Sequence, residues 1–493
     1  MSRYLAFDLG AESGRAILGT IGDQGLALEE LHRFPNIPVR LPAGLYWDTL
    51  RLWHEIQQGL AVAGRERRLD LDGIGVDTWG VDFGLLGADG ALVDNPRHYR
   101  DSRNQGMLER TFAVVDREEI FALTGIQFMP LNSLYQWHAM ELAGAPALSI
   151  ARTLLFMPDL FGYFLTGVKK AEVTIASTSQ FYNPVERRWT TGLLTRLGLD
   201  PALLPEIVPA GTLLGRLLAH VSTEAGLAPA TPVYATAGHD TAAAVAAVPG
   251  EGENWCYISS GTWSLMGIEI GRPLINARAL ELNFTNEIGV EGKVRLLKNI
   301  AGLWLIQECR RAWGAEGIEY SYEDLARLAG EAAPFGPLID PDAFPEPGRM
   351  PARIARFCSR SGQPAPESPG AICRAILESL ALRYRQVLES LESLAGRRIE
   401  AIHIVGGGSR HQLLNQFVAD ATGRIVLAGP AEATAAGNIL TQAIGARQLS
   451  GLAEARNIVK RSFALVPYEP RRGEGWDAAY ERFTALQARA ATW

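Results

Sequence analysis

Several short stretches set a carboxylate or hydroxyl beside glycine at the end of an apolar run, an arrangement suited to phosphate chemistry. In Asp8-x-Gly10-x-x-x-Gly14 the carboxylate follows the apolar residues 4–7, and the glycines admit a ligand close to the backbone. A carboxylate there serves a hard cation such as Mg2+, and exposed N–H groups serve phosphate oxygens. A plain β-hairpin with a polar turn accounts for the same residues. Ser260-Gly261-Thr262 offers hydroxyls that donate to a phosphate without adding charge. Gly406, Gly407 and Gly408 end a strand-like run before a helical pattern at 413–421, where a flat ligand can lie on bare backbone and a helix N-terminus favours an anion. A strand-to-helix turn is the plainer explanation, although such a turn seldom needs three glycines.

Proton transfer needs a different group. Gly238-His239-Asp240-Thr241 follows an apolar run and precedes small residues at 242–247. Asp240 at that junction is either a general base facing a cleft or the cap of the following helix. Asp77-Thr78-Trp79-Gly80-Val81-Asp82 combines polar groups with an indole, as sugar sites often do, or is a turn with a buried Trp. The one Gly-Lys pair, Gly292-Lys293, lacks the earlier glycine of a P-loop. Phosphate transfer, if present, uses another scaffold.

The elements that position these groups fall into two halves with similar openings. Residues 4–7, the polar turn, and residues 16–18 and 26–28 read as strand, tight turn, strand, strand. Residues 255–258 and 263–267 repeat that pattern around Ser259-Ser260-Gly261-Thr262. Helical patterns lie near 49–60 and along Leu377, Leu380, Ala381, Tyr384, Leu388 and Leu391, and strands near 73–76, 233–236 and 401–405. These predict α/β domains with mixed sheets, divided as 1–248 and 249–493. The proline-rich stretch 334–369 is expected to be a surface loop.

Composition narrows the function. At 493 residues the chain exceeds the ~250–300 that one core supports. A net charge of −7 disfavours nucleic-acid binding, which needs a basic face. No run approaches the ~20 apolar residues of a membrane span, and residues 1–8 carry no leader-like apolar stretch. Four widely spaced cysteines, with no Cys-x-x-Cys pair, point to reduced thiols and a cytoplasmic location. Cys358 and Cys373 are close enough in sequence to be considered as a pair.

Taken together, the stretches resemble the FGGY carbohydrate kinases. The resemblance rests on residues 8–15, His32-Arg33-Phe34, Tyr46-Trp47-Asp48, residues 75–83, Tyr99-Arg100-Asp101-Ser102-Arg103, residues 125–130, His239-Asp240-Thr241, residues 259–267, 297–300 and 403–408, and Glu432-Ala433-Thr434. They occur in order along nearly the whole chain. Glu12 stands where a small hydroxyl residue is expected, and Gly238 where a Ser is. The resemblance implies two ribonuclease-H-like domains of the actin-like ATPase fold, with mixed sheets and an interdomain cleft. It also implies ATP-dependent phosphorylation of a small-molecule sugar, L-rhamnulose at O1. Another ketose such as fuculose or xylulose, or a non-enzymatic actin-like ATPase, are the alternatives. By the same match Asp240 is the catalytic base, and Gly80, His239, Thr241 and Asn299 contact the sugar. Ala11, Glu12, Ser13, Gly14, Arg15, Thr262, Gln307 and a glycine among Gly406, Gly407 and Gly408 hold ATP, and Asp8 holds Mg2+ through water.

Overall fold

Residues 4–7 form the centre of strand β1 (Ser2–Leu9), where Tyr4, Leu5, Ala6 and Phe7 are all fully buried. A strand covered on both faces reads as a continuous apolar run, without alternation. It belongs to a sheet with β2 (Ser13–Gly22), β3 (Gly25–Pro35), β4 (Gly73–Thr78), β5 (Thr212–Arg216) and β6 (Pro232–Ala235), in the order β5-β6-β4-β1-β2-β3. β1, β2 and β3 form an antiparallel meander, whereas β6 and β4 run parallel to β1. The ends of the parallel strands are level. Asp8 stands in register with Asp77, and Thr78 bridges His239. Open α/β sheets bind ligands outside such carboxyl ends.

The computed structural model describes residues 1–471, 473 and 475–490. Two units are distinguished: Met1–Pro249 with Glu269–Leu296 and Ala433–Phe463, and Gly250–Ile268 with Leu297–Glu432 and the chain from Ala464. Against a division at 248/249, two stretches of the second half thus fold with the first unit. One carries the helix Ala433–Gly445, which packs on the helix Asp240–Ala246. Gly437 makes that contact: a Cβ there would lie 1.7 Å from the carbonyl oxygen of Ala243.

The second unit repeats the opening. β7 (Trp255–Ser260) pairs antiparallel with β8 (Trp263–Ile270) and parallel with β9 (Ala401–Val405), followed by β10 (Ile425–Ala428) and β11 (Val466–Tyr468). The amphipathic pattern at 377–391 lies in the helix Pro369–Ala395, capped by the Ser368 side chain and ended by Gly396 at φ 66°. Tyr384 on its buried face is hydrogen-bonded to Ser264 of β8 at 2.6 Å.

Residues 334–369 are not all loop. The helix Met350–Arg360 occupies the middle and buries Met350, Ile354, Phe357 and Cys358. Its proline falls in the first turn, where the missing N–H has no intrahelical partner to lose. Among the described residues all four cysteines are buried free thiols, Cys358 and Cys373 included. Among them also, no helix is long and apolar enough to cross a membrane.

Candidate active site

In the first unit, carboxylates gather at the ends of β1, β4 and the strand-like extension of β6. Arg15 lies across the hairpin from Asp8, and its Nη2 donates to Asp8 Oδ2 at 2.5 Å. Asp77 is fully buried. Its Oδ2 accepts from Asn438 Nδ2 at 2.6 Å, and its Oδ1 has no hydrogen-bond partner among the described residues. Burial, then the charge of Asp8, push the Asp77 carboxyl well above the usual range, and the Asn438 bond opposes them.

Asp240 sits beside this group. His239 holds the N-cap position, Asp240 is the first residue of the helix, and no side chain among the described residues makes a capping bond there. Asp240 therefore does not occupy the cap position itself. Its Oδ1 instead accepts from the Thr241 amide at 2.5 Å and the Thr241 hydroxyl at 3.1 Å. The side chain keeps 30% exposure, so it stays accessible. Burial raises its pKa, the neighbouring His239 lowers it, and Asp8 raises it again, with a net rise.

His239 is nearly buried, with Nε2 3.4 Å from Asp240 Oδ1. A Cβ at Gly80 would lie 3.5 Å from that Nε2, so the Gly80 backbone borders the same space. The glycine at 238 has a local reason. Its amide donates to Glu172 Oε2 at 2.9 Å, and a Cβ would come within 3.1 Å of the same oxygen. A Ser there would crowd the buried carboxyl.

Asp82, the other acidic residue of the Trp79 stretch, is fully occupied. It accepts from Trp47 Nε1 at 2.6 Å, Trp79 Nε1 at 3.0 Å, Gln136 Nε2 at 2.7 Å and the Tyr99 amide at 3.2 Å. Burial pushes it up to about 6 against those bonds. It is a structural acceptor that holds Trp47 and Trp79 together, with ring centroids 3.9 Å apart. Asp82→Ala should strand these buried donors at ~1–3 kcal/mol each and lower the urea midpoint sharply. An unchanged midpoint would contradict that role.

The remaining expected residues lie in the second unit. Thr262 is in the β7–β8 turn, where its carbonyl accepts from the Trp304 amide at 3.1 Å and Gly261 donates to Trp263 at 2.8 Å. Gln307 is one turn into the helix Trp304–Ala315 that starts there. Gly406 has φ 81°, which favours glycine, and a Cβ at Gly408 would lie 2.0 Å from Ser260 Oγ. Ser260 Oγ and Gln307 Oε1 are buried with no partner among the described residues. Such orphaned polar atoms fit a ligand with hydroxyl or amino donors, as adenosine has. Asn299 lies on the strand Val294–Ala301. The structure thus gathers Asp8, residues 11–15, Gly80, His239, Asp240 and Thr241 in the first unit, and Thr262, Asn299, Gln307 and Gly406–408 in the second.

Residues 3–247 match the N-terminal domain of the FGGY family of carbohydrate kinases, and residues 256–446 match its C-terminal domain. The chain belongs to that family. The kinase is 47% identical over 482 residues to a rhamnulokinase of Bacteroides thetaiotaomicron, covering 97% of this chain and 98% of that protein. It is 40% identical over 498 residues to a rhamnulokinase of Pectobacterium carotovorum, covering 99% and 97%. Among solved structures it resembles a ligand-bound xylulose kinase of Lactobacillus acidophilus (TM-score 0.82, 15% identity, 100% and 99% covered). It also resembles a Plasmodium falciparum glycerol kinase with ADP (TM-score 0.75, 14% identity, 100% and 98% covered). At those identities the structural likeness speaks for the fold. The actin-like ATPase fold expected from the sequence is the one found.

Sequence reading missed Asn438, Glu287 and Arg295. The first two touch Asp77 and His239, and Arg295 pairs with Glu287. Each stands among other polar residues of its own element, Thr285 and Asn286 beside Glu287, Lys298 and Asn299 near Arg295, Thr441 and Gln442 near Asn438, so nothing local singles it out.

Proposed function

We propose that the kinase phosphorylates L-rhamnulose at O1, converting ATP to ADP and yielding L-rhamnulose 1-phosphate in L-rhamnose catabolism. The observation that carries the reading is Asp240: an accessible carboxylate at the carboxyl ends of parallel strands, beside His239 and bonded to Thr241. The rhamnulokinases similar to nearly the full chain support the sugar.

Phosphoryl transfer depends on alignment and charge neutralisation. Asp240 orients the O1 hydroxyl and takes its proton as the bond to phosphorus forms. In the first unit His239, Thr241 and the Gly80 backbone bind the sugar hydroxyls. The turn at Ala11, Glu12, Ser13, Gly14 and Arg15 faces phosphate with N–H groups, while Thr262, Gln307 and the Gly406–408 turn hold the nucleoside.

Among the described residues no cluster of three or more His, Cys, Asp and Glu can hold a metal directly. Adjacent Asp8 and Asp77, with Asp77 Oδ1 unpartnered among the described residues, do fit a hydrated Mg2+, which keeps several waters and takes one or two carboxylates. Asp8 would hold it through water, and the ion supplies charge neutralisation at the phosphates. Four buried thiols support a cytoplasmic location.

A coupled ADP assay over L-rhamnulose, L-fuculose, D-xylulose and no ketose tests the reading. L-Rhamnulose should give the highest kcat/KM. A higher value for another ketose would reassign the sugar, and full ADP release without ketose would favour a non-enzymatic ATPase.

Gly407→Val addresses the nucleotide. A Cβ at Gly407 meets no atom within 4 Å among the described residues, so the added side chain enters open space, which the proposed nucleotide would share. The KM for ATP should rise about tenfold, equivalent to ~1.4 kcal/mol, with the ketose KM unchanged. Equal rises in both would remove the triplet from the nucleotide site.

A further inference from the structure

We propose that Glu172 and Thr174 are positioning residues that fix the Gly238 and His239 amides and thereby set where the Asp240 carboxylate stands. This inference rests on the reading of Asp240 as the base. Glu172 is buried in the first unit, where it is the N-cap of the short helix Val173–Ala176. Its Oε1 accepts from the Thr174 amide at 2.8 Å, and its Oε2 from the Ile175 amide at 3.2 Å. Those two bonds are ordinary capping. Oε2 also accepts from the Thr174 hydroxyl at 2.6 Å and from the Gly238 amide at 2.9 Å, 66 positions along the chain. The Thr174 hydroxyl in turn accepts from the His239 amide at 3.2 Å. One carboxylate and one hydroxyl thus hold the two consecutive amides that precede Asp240.

Capping alone does not account for this arrangement. A serine or aspartate at the surface caps a helix, whereas a carboxylate only 1% exposed loses its hydration and must recover it from hydrogen bonds. The four donors to Glu172 are neutral: three amides and one hydroxyl. Burial pushes its carboxyl up to about 7, against the bonds from Thr174, Gly238 and Ile175. Once ionised, the group is acceptor-only and takes all four. The Glu172 amide donates to Asp159 Oδ1 at 3.0 Å, which ties down the backbone at that point. From the sheet, the Thr78 amide donates to the Gly238 carbonyl at 2.9 Å. Gly238 is therefore clamped at both its N–H and its carbonyl, directly before the His239 N-cap of the Asp240 helix.

The same short segment also supports the loop that carries Gly80. Thr178 Oγ1 accepts from the Val81 amide at 3.3 Å. A Cβ at Gly80 would lie 3.5 Å from that oxygen, as it would from His239 Nε2. Val81 has φ 71°, in the left-handed region that a β-branched residue avoids, and such strain persists only where the surroundings over-determine it. Residues 172–178 are thus hydrogen-bonded to both backbone loops of the candidate site in the first unit.

The test is the steady-state kinetics of Thr174→Val and Thr174→Ser, at about pH 8.5 so that Glu172 is ionised. Valine keeps the shape and removes the hydroxyl that holds the His239 amide, whereas serine keeps the hydroxyl. Thr174→Val should lose about tenfold in kcat, because small displacements of a reacting group are costly, with the KM for ATP little changed. Thr174→Ser should stay within about threefold of wild type. A purely structural role would lower the melting temperature of Thr174→Val and leave kcat alone. Because Thr174 acts through Asp240, adding Thr174→Val to Asp240→Asn should cost little further rate. Wild-type kcat in Thr174→Val, a Thr174→Ser variant as slow as Thr174→Val, or a full second loss in the double variant overturns the proposal. Should Thr174→Val fail to fold, Glu172→Gln carries the test. Its single oxygen cannot replace two, so kcat should again fall about tenfold, and wild-type kcat there overturns the proposal. If Asp240→Asn itself stays active, the base reading fails instead, whatever the Thr174 variants do.

Discussion

Asp240→Asn is expected to fold normally and to turn over roughly 10²–10⁴-fold more slowly than wild type. Asparagine keeps the size of the side chain and an oxygen for the Thr241 amide, which Asp240 Oδ1 engages at 2.5 Å. It cannot take the proton of the sugar hydroxyl. Stability should move the opposite way. The folded-state pKa of Asp240 is raised, so ionisation penalises folding, and stability falls as pH climbs from the unfolded value near ~3.9 through the raised folded one. The neutral variant escapes that penalty. At neutral pH it should melt no lower than wild type, and at acid pH the two should converge. Loss of a helix cap would instead cost ~0.5–2 kcal/mol and leave turnover intact. Steady-state rates beside melts at two pH values separate the outcomes, and turnover within a few-fold of wild type would remove Asp240 from the chemistry. The same raised pKa places the acidic limb of the wild-type rate above the ordinary aspartate range.

Much of this site was legible in the sequence because its residues stand where one element gives way to another. Asp8 and Asp240 each follow a short apolar run, and strands buried on both faces announce themselves as such runs. The hairpin of each unit could be read from small residues between two of them. The partners of these residues were not legible. Asn438 reaches Asp77 from 361 positions away, and nothing in its own helix marks it. Glu287 and Arg295 lie beyond residue 249, in a stretch that a linear division assigns elsewhere, and their pairing exists only after the chain has returned to the first unit. The helix Met350–Arg360 was hidden for a different reason: proline punctuates a loop, but it is also at home in the first turn of a helix.

Gly437→Ala joins packing to catalysis and should harm both. On propensity alone the change favours the helix Ala433–Gly445 by about 1 kcal/mol. Contact reverses the sign. The new Cβ would lie 1.7 Å from the Ala243 oxygen, 2.5 Å from its carbonyl carbon and 3.1 Å from its Cα. All of these are backbone atoms, so no rotamer change relieves the clash, and the helix Asp240–Ala246 must move. Overpacking of this kind costs ~1–3 kcal/mol and occasionally more. Asp240 begins the displaced helix, and a shift of ~1 Å at a reacting group can cost about 10²-fold in rate. The variant should therefore melt lower and lose at least about tenfold in kcat, while the KM for ATP, to which Thr262, Gln307 and the Gly406–408 turn also contribute, changes less. A lowered melting temperature with wild-type kcat would mean that the movement is absorbed in the helix Ala433–Gly445, leaving Asp240 in place. A raised melting temperature would mean that the two helices are not in contact at Gly437, and the account of how the base is positioned would have to be abandoned.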